Sequence, residues 1–160
     1  MKKRWSVALT ILFLACAVAP TDILAFENTM AASKETIVPL SKAHAHNDYE
    51  HDRPLFDALD HGFTSVEADV WLVDGKLLVA HDREDVQPNR TLESLYLKPL
   101  KQRIKSNNGS VYSGYKLDFL LWVDIKSDGD ATYRVLHKEL QRYQNMLTRF
   151  LPSGVKPGAV

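Results

Sequence analysis

Apolar and polar positions along the chain change period several times, and each change predicts an element. Ile37-Val38-Pro39-Leu40 opens an extended run that reaches Ala45. From Arg53 to His61, Leu55, Phe56 and Leu59 recur at helical spacing, and Gly62 follows as a helix-ending glycine. Thr64 to Val73 is rich in β-branched and aromatic residues, Asp74-Gly75 is a two-residue hairpin turn, and Lys76 to Ala80 returns as its partner. Leu92, Leu95, Leu97, Leu100 and Ile104 give a helical pattern over Thr91 to Lys105, closed by Asn107-Asn108-Gly109.

Phe119 to Lys126 is a nearly continuous apolar run, which predicts a strand covered on both faces, with Trp122 and Trp71 as core residues. A third helix is expected over Ala131 to Phe150, where Leu136, Leu140, Tyr143 and Leu147 share one stripe, before Pro152, Gly154, Pro157 and Gly158 interrupt the pattern. The order β-α-β-α-β-α predicts an α/β fold of parallel strands joined by right-handed helical crossovers. Three β/α units are fewer than the ~250-residue, eight-stranded barrel contains, so the pattern fits a small open sheet or an incomplete barrel.

The first residues stand apart. Met1-Lys2-Lys3-Arg4 is basic and Ser6 to Ala19 is apolar and uncharged, the pattern of a signal peptide. The apolar run is shorter than the ~20 residues of a permanent membrane helix, which favours cleavage, after Ala17, Ala25 or Ala32. Residues 1–25 are therefore expected as a leader, 26–35 as a lead-in and 36–160 as the folded domain. The expected location is secreted or cell envelope, with anchoring by an uncleaved leader or a lipidated Cys16 as the alternative. Cys16 is the sole cysteine, so a chain cleaved after it has no disulfide.

The chain has 160 residues, 45% of them hydrophobic, enough apolar material for one core. Twenty basic residues balance twenty acidic ones, so no broad positive field exists to hold nucleic acid, and any phosphate recognition must be local.

Ionisable residues gather at the C-terminal ends of the predicted strands, where α/β folds place their sites. His44 and His46 end the first strand, Glu67 and Asp69 lie in the second, His81 and Asp82 follow the hairpin, and Asp124 and Lys126 end the last. Residues two apart in a strand face one side, so Glu67 and Asp69 converge, as do Asp124 and Lys126. Carboxylates grouped in apolar sequence are costly to bury unless a cation accompanies them, and Mg²⁺ or Ca²⁺ is the matching partner for oxygen ligands.

The sequence Gly62-Phe63-Thr64-Ser65-Val66-Glu67-Ala68-Asp69-Val70, then Asp74-Gly75, then His81-Asp82, resembles the glycerophosphodiester phosphodiesterase signature of the phosphatidylinositol-specific phospholipase C-like (PLC-like) phosphodiesterase superfamily. The resemblance covers about His44 to Lys126. His46-Asn47-Asp48-Tyr49 is similar to the branch that includes altered inheritance of mitochondria protein 6.

This resemblance implies the N-terminal part of a TIM-barrel (β/α)8 fold and a phosphoric diester hydrolase of lipid metabolism, acting on a glycerophosphodiester or phospholipid-type substrate. It implies His46 and His81 as acid and base, with His44 competing for the first role, and Glu67, Asp69 and Asp124 as ligands of Mg²⁺ or Ca²⁺. Lys126 would neutralise phosphate. Asn47 is expected with Lys126 as a phosphate- or substrate-binding residue; it stands where glycerophosphodiesterases carry a phosphate-binding arginine, which leaves substrate choice open. Expected partners are a small-molecule or lipid diester, a transient membrane surface, and a missing barrel half or oligomer partner.

Two alternatives are carried forward. One is a truncated barrel that is inactive or partner-dependent. The other takes His44-Ala45-His46 as the start of an H-x-H metallohydrolase site of amidohydrolase or phosphoesterase type, which needs more histidines on later strands.

Overall fold

The computed structural model describes residues 37–160, so the leader, the lead-in and Cys16 lie outside the described residues. No helix among the described residues is long and apolar enough to cross a membrane.

A four-stranded sheet organises the fold. Strand β1 (Leu40–Ala45) and helix α1 (Phe56–Asp60) lead to β2 (Phe63–Val73), which turns at Asp74-Gly75 into β3 (Lys76–Val79). Helix α2 (Lys98–Ser106), strand β4 (Leu120–Ile125) and helix α3 (Gly129–Gln141) follow. Strands β1 and β4 both run parallel to β2, and β3 is antiparallel to it. The Ala80 N–H donates to the Asp69 carbonyl and the Lys126 N–H to the Val70 carbonyl. Successive strand carbonyls point to opposite edges, so β3 and β4 flank β2 on opposite sides.

Alternation then divides the sheet into two unlike faces. Val66, Ala68 and Val70 are fully buried, and they pack with Leu59, Leu97, Leu100 and Leu136 from the helical layer. The opposite face carries Ser65, Glu67 and Asp69 from β2. Register places Asp69 beside Asp124 and Glu67 beside Trp122.

Several expectations change. β4 is covered on one face only: Leu120 and Trp122 are 52% and 59% exposed, so Trp122 is not a core residue. A run apolar at every position cannot report which side is covered. Trp71 is half-buried, with its indole N–H donating to the Ala80 carbonyl at 3.2 Å.

The first helix begins at Phe56 rather than Arg53 because Leu55 takes φ +67°, outside helical space. The second is preceded by a π-helical turn, Glu93–Leu97, in which Lys98 N–H reaches back five residues to Glu93. Pro99 lacks the amide that would bond Leu95, which breaks the ordinary ladder there. The third starts at Gly129, with Asp128 accepting from Ala131 N–H at 2.7 Å, and ends at Gln141 rather than Phe150. Beyond it the apolar stripe persists, with Tyr143 and Met146 buried, while the backbone makes three-residue turns. The chain then forms a hairpin, β5 (Arg149–Leu151) with β6 (Gly154–Lys156), that helical spacing concealed.

The loop between β1 and α1 is pinned at unusual dihedral angles. Asn47 and Leu55 both have positive φ, 49° and 67°. The fully buried Asp48 carboxylate offsets that strain: its Oδ2 accepts from Leu55 N–H at 2.6 Å and from the Tyr96 hydroxyl at 2.8 Å. Arg90 adds a bond to the Tyr49 carbonyl.

Burial pushes the Asp48 carboxyl above the ordinary carboxylate range, against the bonds from Leu55 and Tyr96 that pull it down. A folded-state pKa raised in this way favours the protonated form on folding. The contribution is complete below the unfolded value of about 3.9 and is lost as pH rises through the folded value. The Asp48→Asn protein should therefore gain melting temperature relative to wild type as pH rises from about 4 toward neutrality. A pH-independent difference between the two melts would contradict this.

Gly62 closes α1 at φ +82°, and a Cβ there would lie 2.6 Å from the Val38 carbonyl oxygen. Gly62→Ala should cost about 1–3 kcal/mol in denaturant unfolding. An unchanged midpoint would refute the close-approach account.

Candidate functional site

The site stands at the C-terminal ends of β1, β2 and β4. Its centre is Asp69, 1% exposed in the middle strand. Lys126 Nζ lies 3.0 Å from Asp69 Oδ2 and 2.7 Å from Asp124 Oδ2. Bonds to Asp124 first and Asp69 second hold the Lys126 ammonium above its usual range, so it remains charged between the two acids. The lysine expected to face phosphate is thus already engaged with carboxylates.

Two further groups reach Asp69 Oδ2: the Tyr49 hydroxyl at 2.7 Å and His81 Nδ1 at 3.2 Å. Burial, reinforced by the bond to Asp69, pushes the Tyr49 phenol above its usual range. Asp69 Oδ1, by contrast, is buried and has no partner. A carboxylate oxygen desolvated without a donor or cation is costly, and Asp48 Oδ1 shares that condition; Asp69 differs in lying beside two other carboxylates, Glu67 and Asp124.

Glu67, Asp69 and Asp124 each offer one ligand atom within 4.8 Å of the others, and they are the only such metal-competent group among the described residues. Glu67 is partly buried and Asp124 more open, so the group has a wet side. Three oxygen donors from strand ends, with one orphaned buried oxygen, fit a hard divalent cation.

The two leading histidines flank these acids. His46 Nε2 lies 3.4 Å from Glu67 Oε2, and its side chain is 73% exposed. His81 follows β3 and is half-exposed. His44 is held apart from this arrangement. Its Nδ1 lies 2.8 Å from Ser65 Oγ, and its ring meets Trp122 edge-on at 6.5 Å between centroids. β1 ends at Ala45, so strand alternation does not carry His44 and His46 to a common point. Asn47 donates its backbone N–H to Glu67 Oε2 at 3.1 Å, while its side-chain oxygen lies 3.1 Å from the Tyr49 hydroxyl.

Outside this group, Arg53 pairs with Asp57 and Asp60 on the surface, both at 2.7 Å. A groove of about 770 Å³ adjoins Glu67 along the exposed sheet face, past His44, Ser65, Leu120 and Trp122.

Sequence reasoning brought forward Glu67, Asp69, Asp124, Lys126, His46 and His81, and the structure gathers them. It did not single out Tyr49, which touches both Asp69 and His81. The sole signal was its place within His46-Asn47-Asp48-Tyr49. Asp82 directly precedes the 3₁₀ turn Arg83–Asp85.

A family model described as the AIM6-like phosphodiesterase domain matches residues 32–160. Altered inheritance of mitochondria protein 6 of Lachancea thermotolerans is 43% identical over 114 residues, covering 62% of this chain and 26% of that protein. The homolog from Arthroderma benhamiae is 35% identical over 133 residues, 71% of this chain and 42% of that protein. The protein of the same name from Saccharomyces cerevisiae (strain YJM789) is 31% identical over 129 residues, 72% of this chain and 33% of that protein. The chain therefore spans less than half the length of these relatives. No solved structure matches it. With the match running from ahead of β1 through the last residue and enclosing every element of the site, the chain belongs to the AIM6-like phosphodiesterase domain family.

Proposed function

We propose that this chain carries the metal and proton-transfer site of a phosphoric diester hydrolase, acting on a glycerophosphodiester or phospholipid-type substrate. The observation that carries the reading is the Glu67, Asp69 and Asp124 cluster, flanked by His46 on Glu67 and His81 on Asp69. The phosphodiesterase family match supports it. The H-x-H alternative fits less well, because the metal-competent group among the described residues contains carboxylates alone.

Glu67, Asp69 and Asp124 would hold Mg²⁺ or Ca²⁺, which when bound supplies positive charge against the phosphoryl oxygens. The side chains divide the remaining work. Lys126 contributes a fixed positive charge beside the acids, which offsets their repulsion of an anionic diester. One histidine takes the proton of the attacking water or substrate hydroxyl as its oxygen bonds to phosphorus. The other gives its proton to the departing alcohol oxygen as the second P–O bond breaks, so protons balance over the cycle. The exposed positions of His46 and His81 leave both able to meet substrate.

The same reading includes a larger architecture. Parallel strands β1, β2 and β4 lie side by side in chain order, and each connection between them contains a helix, the succession that builds a (β/α)8 barrel. The exposed Leu120 and Trp122 face would then be covered by further strands, from the same longer chain or an oligomer partner. The basic and apolar leader pattern supports export as part of this proposal.

Assay with glycerophosphodiesters, lysophospholipids and bis-p-nitrophenyl phosphate, with and without EDTA, tests the reading. Turnover should require the metal, and His46→Ala and His81→Ala should each lower kcat by about 10²–10⁴. Metal-independent turnover, or full activity in both variants, would refute it.

A further inference from the structure

We propose that Tyr49 is the positioning residue of this site, setting both the free oxygen of Asp69 and the proton-bearing nitrogen of His81. The inference deepens the phosphodiesterase reading and rests on it for its catalytic consequence, but its structural content stands on hydrogen-bond geometry alone.

Tyr49 is 3% exposed, so water does not supply the partners its hydroxyl needs. Its oxygen lies 2.7 Å from Asp69 Oδ2, 3.1 Å from Asn47 Oδ1 and 3.2 Å from His81 Nδ1. A phenol has one proton to donate. The carboxylate is the nearest and most strongly accepting of the three, so the proton is directed to Asp69.

Two consequences follow. Asp69 Oδ2 is occupied by Tyr49, Lys126 and His81, which fixes the carboxylate rotamer and leaves Oδ1 as its unpartnered oxygen. That is the oxygen available to a cation. In addition, His81 Nδ1 faces two acceptors, the Tyr49 oxygen and Asp69 Oδ2, each at 3.2 Å. Nδ1 must therefore carry the ring proton in neutral His81, which leaves Nε2 as the nitrogen with a free lone pair. Tyr49 joins the cation-facing acid to the proton-transfer histidine without itself meeting substrate.

The test uses the full chain, metal-free, with ¹⁵N-labelled histidine. At a pH where His81 is neutral, its imidazole shifts in wild type should report the Nδ1–H tautomer. Tyr49→Phe keeps the buried ring and removes the hydroxyl; its His81 signal should move toward the mixed tautomers of free histidine. Mg²⁺ affinity, measured calorimetrically with the metal alone, should weaken about ten- to a hundredfold. On bis-p-nitrophenyl phosphate the same variant should lose kcat while KM stays within about twofold, as expected of a group that positions the reacting residues rather than binding substrate.

Tyr96→Phe, which removes a bond to Asp48 instead, should lower the melting temperature and leave the His81 tautomer and Mg²⁺ affinity unchanged. A wild-type His81 bearing its proton on Nε2 overturns the proposal without recourse to any variant. So does a Tyr49→Phe protein whose tautomer and Mg²⁺ affinity match wild type. An inactive wild type that shows the Nδ1–H tautomer and loses it in Tyr49→Phe supports the positioning role while removing the phosphodiesterase reading.

Discussion

A carboxylate buried in the middle strand of a sheet is the constraint around which the rest of this molecule is arranged. Asp69 is almost wholly removed from water, and an isolated ion there would be several kcal/mol unfavourable. Lys126, Tyr49 and His81 converge on one of its oxygens, and each comes from a different stretch of chain. The sheet register that sets Asp124 beside Asp69 brings Lys126 within reach of both acids. What these contacts leave without a partner is the other oxygen of the same carboxylate, Oδ1. The polar groups are thus neither a conventional surface cluster nor a closed structural salt bridge.

The loop after β1 is the second requirement. It presents His46 and Tyr49 to β2, and along it Asn47 and Leu55 take positive φ. Asp48 offsets this strain by bonding the Leu55 amide and the Tyr96 hydroxyl in the core, so within His46-Asn47-Asp48-Tyr49 three residues meet the acids of the site and Asp48 alone is turned to the fold.

Much of this could be read from the chain. β2 and its hairpin were legible because β-branched residues and Asp-Gly report local backbone preference, and the E-x-D spacing maps directly onto one strand face. The convergence of Asp124 with Asp69 followed from recurrence of acids at successive strand ends. What escaped depends on contacts distant in sequence. Tyr49 meets Asp69 and His81 only after folding, and its composition differs in nothing from a core tyrosine. The half-open environment of Trp122 was hidden because an all-apolar strand looks the same whether one face or two are covered. The end of α3 was hidden for a related reason: the stripe through Tyr143 continues to be buried after the backbone has ceased to be helical.

The central claim is that Glu67, Asp69 and Asp124 act together as a cation site with Asp69 as its pivot. Calorimetric titration of Mg²⁺ and Ca²⁺ into wild type and Asp69→Asn tests it most directly. The account predicts one ion bound per wild-type chain and loss of that binding in Asp69→Asn, with both proteins folded by circular dichroism. Absence of binding to wild type, or equal affinity in the two proteins, would contradict it.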